Sequence, residues 1–110
     1  MGGEDLKLEF DSEILKINSP KENLGGPFKV IYKNLEERWA LVAINWNNEP
    51  RLGIRWFWGN GGNPFSSAHP IWLVIPPSLS RNILSGLPLD HEFAGKIDNF
   101  LQKKINGIEL

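Results

Sequence analysis

The chain has no cysteine among its 110 residues, which excludes disulfide bonds, thiolate zinc sites, iron–sulfur clusters and cysteine nucleophiles. It also lacks an excess of charge of one sign, because 12 lysines and arginines stand against 13 aspartates and glutamates. The formal net charge of -1 excludes a globally basic nucleic-acid-binding protein, while a local basic patch stays open.

Long apolar runs are absent too. No apolar stretch approaches the roughly 20 residues that a membrane-spanning helix needs. The first residues carry neither the basic segment nor the apolar segment of a secretory signal peptide. We therefore expect a soluble, cytoplasmic protein with no membrane partner.

Aromatic residues, by contrast, are abundant. The chain has five tryptophans, four of which fall between Trp39 and Trp58. A hydrophobic content of 41% can supply a core, and the length suits one domain of about 100–150 residues. We predict a single domain, 1–110, with an acidic N-terminal strand and loop (1–27), a tryptophan-rich sheet (28–76) and helices (77–107).

Alternating apolar residues predict strands in the first two thirds of the chain. Leu6, Leu8 and Phe10 alternate with Lys7 and Glu9, which indicates an opening strand that 14–17 would continue. The proline- and glycine-containing stretch 18–27 is typical of a loop. Four further strands are predicted at residues 28–32, 39–46, 52–58 and 71–75.

The last third is predicted to be helical. Pro77 suits the first turn of a helix over 77–87, and Asp90 is a candidate N-cap for a second helix that Gly107 would stop. The second helix has an apolar face at helical spacing, formed by Phe93, Ile97, Phe100, Leu101 and Ile105. The order predicts an α+β fold: an antiparallel four- to five-stranded meander followed by one or two C-terminal helices packed on one face.

The register of the central hairpin decides where the tryptophans point. A five-residue turn over 47–51 would place Trp46 opposite Leu52 and put Trp46, Trp56 and Trp58 in the core under the helices. The opposite, mixed face would then carry Trp39, Leu41, Ala43, Asn45, Gly53, Arg55 and Phe57. We expect the N-terminal segment, a second copy of the chain or a ligand to cover it. Trp39, Phe57 and Arg55 would suit unpaired bases.

The pattern Trp46-Asn47-x-x-Pro50-x-x-x-Ile54-Arg55-x-x-Trp58 resembles the strand–turn–strand of the positive-cofactor-4-like domains. These are single-stranded-DNA-binding coactivators and their bacterial relatives, and the resemblance covers residues 28–88. It implies a four-stranded meander followed by a helix, and a homodimer with a nucleic-acid-binding surface. It also implies a binding affinity that falls steeply with salt, through phosphate contacts from Lys29, Lys33, Arg38, Arg51 and Arg55.

Catalytic and metal-binding patterns are hard to assemble. His91 and Glu92 begin like a zinc-protease helix, but Gly95 stands where the second histidine is required. The loop over 59–70 could instead roof a small-molecule pocket lined by Asn60, Asn63, Phe65, His69 and Trp72. We predict no catalytic residue, metal or cofactor.

The sequence therefore predicts a noncatalytic binding module, with a dimeric single-stranded nucleic-acid binder as the first hypothesis. Two alternatives stay open. One is an accessory protein whose aromatic sheet face is a homodimer or protein-partner interface, and the other is a small-molecule-binding domain under the 59–70 loop.

Overall fold

The computed structural model describes residues 8–58, 62–66 and 69–110. Its elements are α1 Asp11–Ile14, β1 Leu24–Asn34, β2 Trp39–Trp46, β3 Glu49–Trp56, β4 Phe65–Ser66, β5 His69–Pro70, β6 Leu73–Val74, α2 Pro77–Ser85, α3 His91–Leu101 and a final 3₁₀ turn, Gly107–Glu109. Four strands form an antiparallel sheet in the order β1-β2-β3-β6, and helices α2 and α3 follow it, which confirms the predicted α+β fold. A two-stranded hairpin, β4–β5, is inserted before β6.

The predicted opening strand is wrong where the structure describes it. Leu8 and Glu9 are helical, and Asp11–Ile14 forms a short helix, while residues 6 and 7 lie outside the described residues. Leu8 and Ile14 are fully buried and Phe10 is exposed. An alternation of so few residues fits either structure, and packing of the helical turns onto the sheet decides between them.

The central hairpin turns in two residues rather than five. Asn47 and Asn48 both have positive φ, 51° and 67°, as a type I′ turn requires. Trp46 therefore lies opposite Glu49, and Trp39 lies opposite Trp56. The predicted register, with Trp46 opposite Leu52, is wrong by three residues. Because three is odd, each face of β3 is shared with a different set of β2 residues from the one predicted, so Leu52 lies with Leu41 and Ala43 rather than with Ile44 and Trp46.

The observed register divides the core into two layers, one on each face of the sheet. The layer between the sheet and the N-terminal segment contains Leu8, Ile14, Ala40, Val42, Ile44 and Trp72. The layer between the sheet and the helices contains Leu41, Ala43, Leu52, Ile75, Ile97 and Phe100. The helices thus cover the face that carries Leu41 and Ala43, opposite to the prediction. The N-terminal segment, one of the three predicted covers for the mixed face, covers the other.

The second helix begins as predicted. The Asp90 carboxylate accepts hydrogen bonds from the backbone N–H groups of Glu92 and Phe93, at 3.1 and 3.2 Å. Its predicted apolar residues all belong to, or pack against, the layer under the helices.

The end of that helix differs from the prediction. Lys103 has a φ of 66°, and the Lys104 N–H donates to the Asn99 carbonyl at 2.8 Å, the pattern of a Schellman motif. The helix therefore ends at Leu101. Gly107 starts the 3₁₀ turn, where its backbone lies against the ring of Phe28.

Alanine at Gly107 is expected to lower the free energy of unfolding by about 1–3 kcal/mol, the usual cost of overpacking. A Cβ there would overlap the Phe28 ring, which meets Phe100 edge-on at 6.1 Å between centroids. Gly95→Ala is the matched control, because the added Cβ would meet no atom within 4 Å beyond its chain neighbours and the nearby backbone of its own helix. Helix propensity should stabilise that variant by about 0.8–1.0 kcal/mol. Urea unfolding followed by tryptophan fluorescence measures both, and equal shifts of the same sign would contradict the packing.

Candidate functional site

Two tryptophans are exposed at one end of the sheet. Trp56 ends β3 with 45% of its surface accessible, and Trp58 follows with 59% accessible. The prediction that both belong to the core is wrong, because the helices cover the sheet farther along the strands, around Leu41 and Leu52. We call the surface formed by Arg38, Trp56 and Trp58 the tryptophan edge.

Arg38 is held at the tryptophan edge by the loop between β1 and β2. Its backbone adopts a φ of 60°, and its N–H donates to the Asn34 carbonyl at 2.8 Å. Its own carbonyl accepts from the Phe57 N–H at 2.8 Å, which extends the β2–β3 pairing beyond Trp56. The guanidinium carbon lies 5.8 Å from the centre of the Trp58 ring, within cation–π range. The edge therefore joins a cation to an exposed indole.

Trp39 forms the inner border of the edge. It lies opposite Trp56, and its ring centroid is 5.6 Å from that of Tyr32. Its indole N–H donates to the Glu37 carboxylate at 2.8 Å. Trp39 is half-buried, so it contributes less exposed surface than Trp56 and Trp58 do.

Arg55 does not lie on an exposed face, and this part of the prediction is wrong. The side chain is fully buried, and its Nη1 donates to the carbonyls of Pro64 and Ile71, at 3.1 and 2.7 Å. Burial lowers the pKa of Arg55 to about 10, so the guanidinium is still protonated at neutral pH. Phe57, predicted on the same outward face, is also buried, edge-on to Trp72 at 6.5 Å between centroids.

The other predicted phosphate contacts are scattered. The Lys33 ammonium donates to the Glu9 carbonyl at 2.8 Å and pairs with the Asp11 carboxylate at 2.9 Å, which fastens the N-terminal segment to β1. Arg51 lies opposite Ile44, far along β3 from Trp56, and Lys29 lies opposite Ala43. The structure therefore does not bring the five cations together, although Arg38 adjoins exposed aromatic surface.

The predicted pocket residues have different fates. Asn60 lies outside the described residues. Asn63 pairs with Trp56 through both backbone groups, at 2.7 and 2.9 Å. Trp72 is buried, and its indole N–H donates to the Ile17 carbonyl at 2.7 Å. Phe65 and His69 are exposed on the β4–β5 hairpin. Trp72 thus belongs to the core, where it helps to hold the N-terminal segment.

Neither a metal cluster nor a membrane span is found in the part of the chain that the structure describes. There, no three histidine, aspartate or glutamate side chains come close enough to hold an ion. Its helices are too short or too polar to cross a bilayer.

Comparison with protein-family models, with curated proteins and with solved structures finds no match for this chain.

The sequence predicts Trp56 and Trp58 in the core because a five-residue turn would place Trp56 opposite Val42, in the middle of β2. The signal that could have found the exposed pair is Asn47-Asn48, since asparagine tolerates the positive φ of a two-residue type I′ turn. With that turn, Trp56 lies opposite Trp39 at the open end of the hairpin.

Arg55→Met should lower the free energy of unfolding by about 2–4 kcal/mol, because it removes the hydrogen bonds that a buried guanidinium donates to the carbonyls of Pro64 and Ile71. The matched control is Arg81→Met, because the Arg81 side chain is 79% exposed and its guanidinium pairs with Asp98 at 3.4 Å. An exposed pair of this kind contributes about 0–1 kcal/mol. Urea unfolding measures both variants.

Hydrogen exchange provides a local readout for Arg55. The Ile71 amide donates to the Pro64 carbonyl at 3.2 Å, so it should exchange faster in Arg55→Met than the amides of α3. A variant that unfolds like Arg81→Met, with unchanged exchange at Ile71, would contradict the anchoring role.

Proposed function

We propose that this chain is a noncatalytic binding module and that the tryptophan edge is its binding surface. The observation that carries the proposal is the pair of exposed indoles, Trp56 and Trp58, at the end of a sheet with packed layers on both faces. A single exposed apolar residue is ordinary, whereas two exposed indoles two positions apart at the end of one strand mark a candidate interaction surface.

Single-stranded nucleic acid is the ligand class that the geometry suits best. Each indole offers a flat face to an unpaired base, and such stacking contributes about 1–3 kcal/mol per base. The Arg38 guanidinium, beside Trp58, can meet a backbone phosphate while it keeps its contact with the ring. The resemblance to the positive-cofactor-4-like domains supports the same ligand class.

The surrounding charges indicate that stacking, more than phosphate binding, supplies the affinity. The Lys33 ammonium pairs with the Asp11 carboxylate, and the buried Arg55 guanidinium donates to the Ile71 carbonyl. Lys29 lies opposite Ala43, four residues along β2 from Trp39, which corresponds to about 13 Å. Because Arg38 would then neutralise about one phosphate, the logarithm of the affinity should fall with the logarithm of salt concentration with a slope near -0.7.

Trp58→Ala should weaken the binding of fluorescein-labelled oligothymidylate about tenfold, the equivalent of one lost stacking contact. The measurement is fluorescence anisotropy at about 50 and 200 mM salt, where wild-type affinity should change about threefold. Five phosphate contacts would change it about a hundredfold. Phe10→Ala is the aromatic control, since Phe10 is 54% exposed on the N-terminal segment, and Lys29→Gln is the cation control.

Both controls should bind the oligonucleotide like the wild type, and Arg38→Gln should remove most of the salt dependence. No binding at 50 mM salt, or equal losses in Trp58→Ala and Phe10→Ala, would overturn nucleic-acid binding at this surface.

A second copy of the chain is the second candidate occupant of the edge. Tryptophan and arginine are the residues that dominate binding energy at protein interfaces. The loop that carries Arg38 also carries exposed Glu36 and Glu37, which disfavour a polyanion. In a two-fold contact, these acids can face the arginine of the other copy, so the surface is complementary to itself.

Sedimentation velocity over a range of protein concentrations tests this second candidate. A dimer is expected for the wild type and for Phe10→Ala, and Trp58→Ala should raise the dissociation constant about tenfold or more, as for a central interface residue. A wild-type protein that stays monomeric, or a dimer indifferent to Trp58→Ala, would contradict self-association through the edge.

A further inference from the structure

Helices α2 and α3 line a groove away from the tryptophan edge. The groove consists of two cavities, of about 380 and 220 Å³, that share Arg81 from α2 and Asp98 from α3 as lining residues. The larger cavity falls in the range of about 300–1,000 Å³ that is typical of small-molecule sites. The shared residues make the two cavities neighbouring parts of one surface.

The smaller cavity is the more polar end of the groove. Arg51, Ser80 and Gln102 line it together with the shared pair and with the apolar residues Pro50, Pro77 and Leu101. Arg51 makes one hydrogen bond within the described residues, from Nη1 to the Pro50 carbonyl at 2.7 Å, which leaves further guanidinium donors for a ligand. The neighbouring carboxylate, Glu49, pairs with Lys103 at 2.7 Å.

The charges at this end sum to a net positive site. The Asp98 carboxylate accepts from the Gln102 amide at 2.6 Å and from Arg81 at 3.4 Å. Arg81 thus offsets the charge of Asp98, and Arg51 remains as the surplus cation. A guanidinium in a small cavity is matched by a carboxylate or phosphate group, which can accept two parallel hydrogen bonds.

The larger cavity is the apolar end of the groove. Leu84, Leu87, Leu89 and Ala94 form most of its wall, and Ser85 and His91 complete it. A ligand that spans both cavities would place its apolar part against these leucines and its charged group beside Arg51.

We propose that this groove binds a small amphipathic organic anion, with a carboxylate beside Arg51 and Arg81 and a short apolar body along Leu84 and Leu87. Neither half of the groove suits a ligand of one character alone: an inorganic anion leaves the apolar wall in water, and a neutral apolar molecule leaves the guanidinium unmatched. The site is separate from the tryptophan edge, so it stands whether or not that surface binds nucleic acid.

Titration of the ¹⁵N-labelled protein with hexanoate, hexanol and inorganic phosphate tests the proposal by amide chemical shifts. Hexanoate should shift the amides of Ser80, Arg81, Ala94 and Asp98, and it should bind at least tenfold more tightly than hexanol or phosphate. Arg51→Gln should weaken hexanoate binding about tenfold or more, since hydrogen bonds to charged groups have about that effect, and leave hexanol binding unchanged.

Three further variants complete the test. Ala94→Leu should fill the apolar end, so that it weakens hexanoate and hexanol but not phosphate. Arg51→Lys keeps the charge without the paired donors and should bind hexanoate with intermediate affinity. Lys96→Gln, an exposed cation of α3 outside both linings, should bind like the wild type.

Thermal unfolding confirms that each variant is folded before it is titrated. Equal binding of hexanoate and hexanol, hexanoate shifts outside α2 and α3, or equal losses in Arg51→Gln and Lys96→Gln would overturn the proposal.

Discussion

The two-residue turn at Asn47 and Asn48 is the constraint on which the rest of the structure depends. Both residues adopt the left-handed conformation, at φ values of 51° and 67°, and this fixes which residue of β3 lies opposite each residue of β2. Because side chains alternate between faces, the same choice assigns every residue of the central hairpin to one layer of the core. A connection longer by one residue would exchange the faces of β3 relative to β2, and Arg55 would then lie on the face that carries Leu41 and Ala43. The local conformation of two turn residues thus determines which side chains of β2 and β3 share a core layer.

The observed register buries the charged side chain of Arg55, and backbone carbonyls compensate for this burial. It lies opposite Ala40, in the layer under the N-terminal segment, where it is fully buried. Removing a charge from water is unfavourable, and the lowered pKa of Arg55 is the direct expression of that burial. The backbone carbonyls of Pro64 and Ile71 compensate by accepting its hydrogen bonds, and they flank the β4–β5 hairpin. A side chain whose type is typical of a binding surface therefore ties an insertion to the sheet, and it is unavailable to a ligand.

Patterns among residues close in sequence predict much of the fold. The parts that were predicted wrongly depend on packing between residues far apart in sequence. The Asp90 cap and the apolar spacing of α3 depend on residues a few positions apart, and both are confirmed. Strand β2 was predicted with its exact bounds, since its continuous apolar run is typical of a strand covered on both faces. The predicted register of β2 and β3 is wrong because asparagine is compatible with long and short turns alike. The length of the turn depends on how both core layers pack. The short N-terminal helix was not predicted for a similar reason: the burial of Leu8 and Ile14 depends on packing against the distant sheet, which local alternation does not reveal.

The two candidate surfaces lie at opposite ends of β3. Pro50, at the start of β3, lines the polar end of the groove, and Trp56, at its end, belongs to the tryptophan edge. Six residues of extended chain separate them, about 20 Å, so a small ligand at one surface does not touch the other. Helices α2 and α3 line the groove at one end of the strand, and they leave the indoles at the other end uncovered. Ligands at both surfaces would each stabilise the same folded sheet by mass action. Coupling between them would require β3 or the helices to adopt a second arrangement, because two sites influence each other only when their ligands favour different states of a shared element.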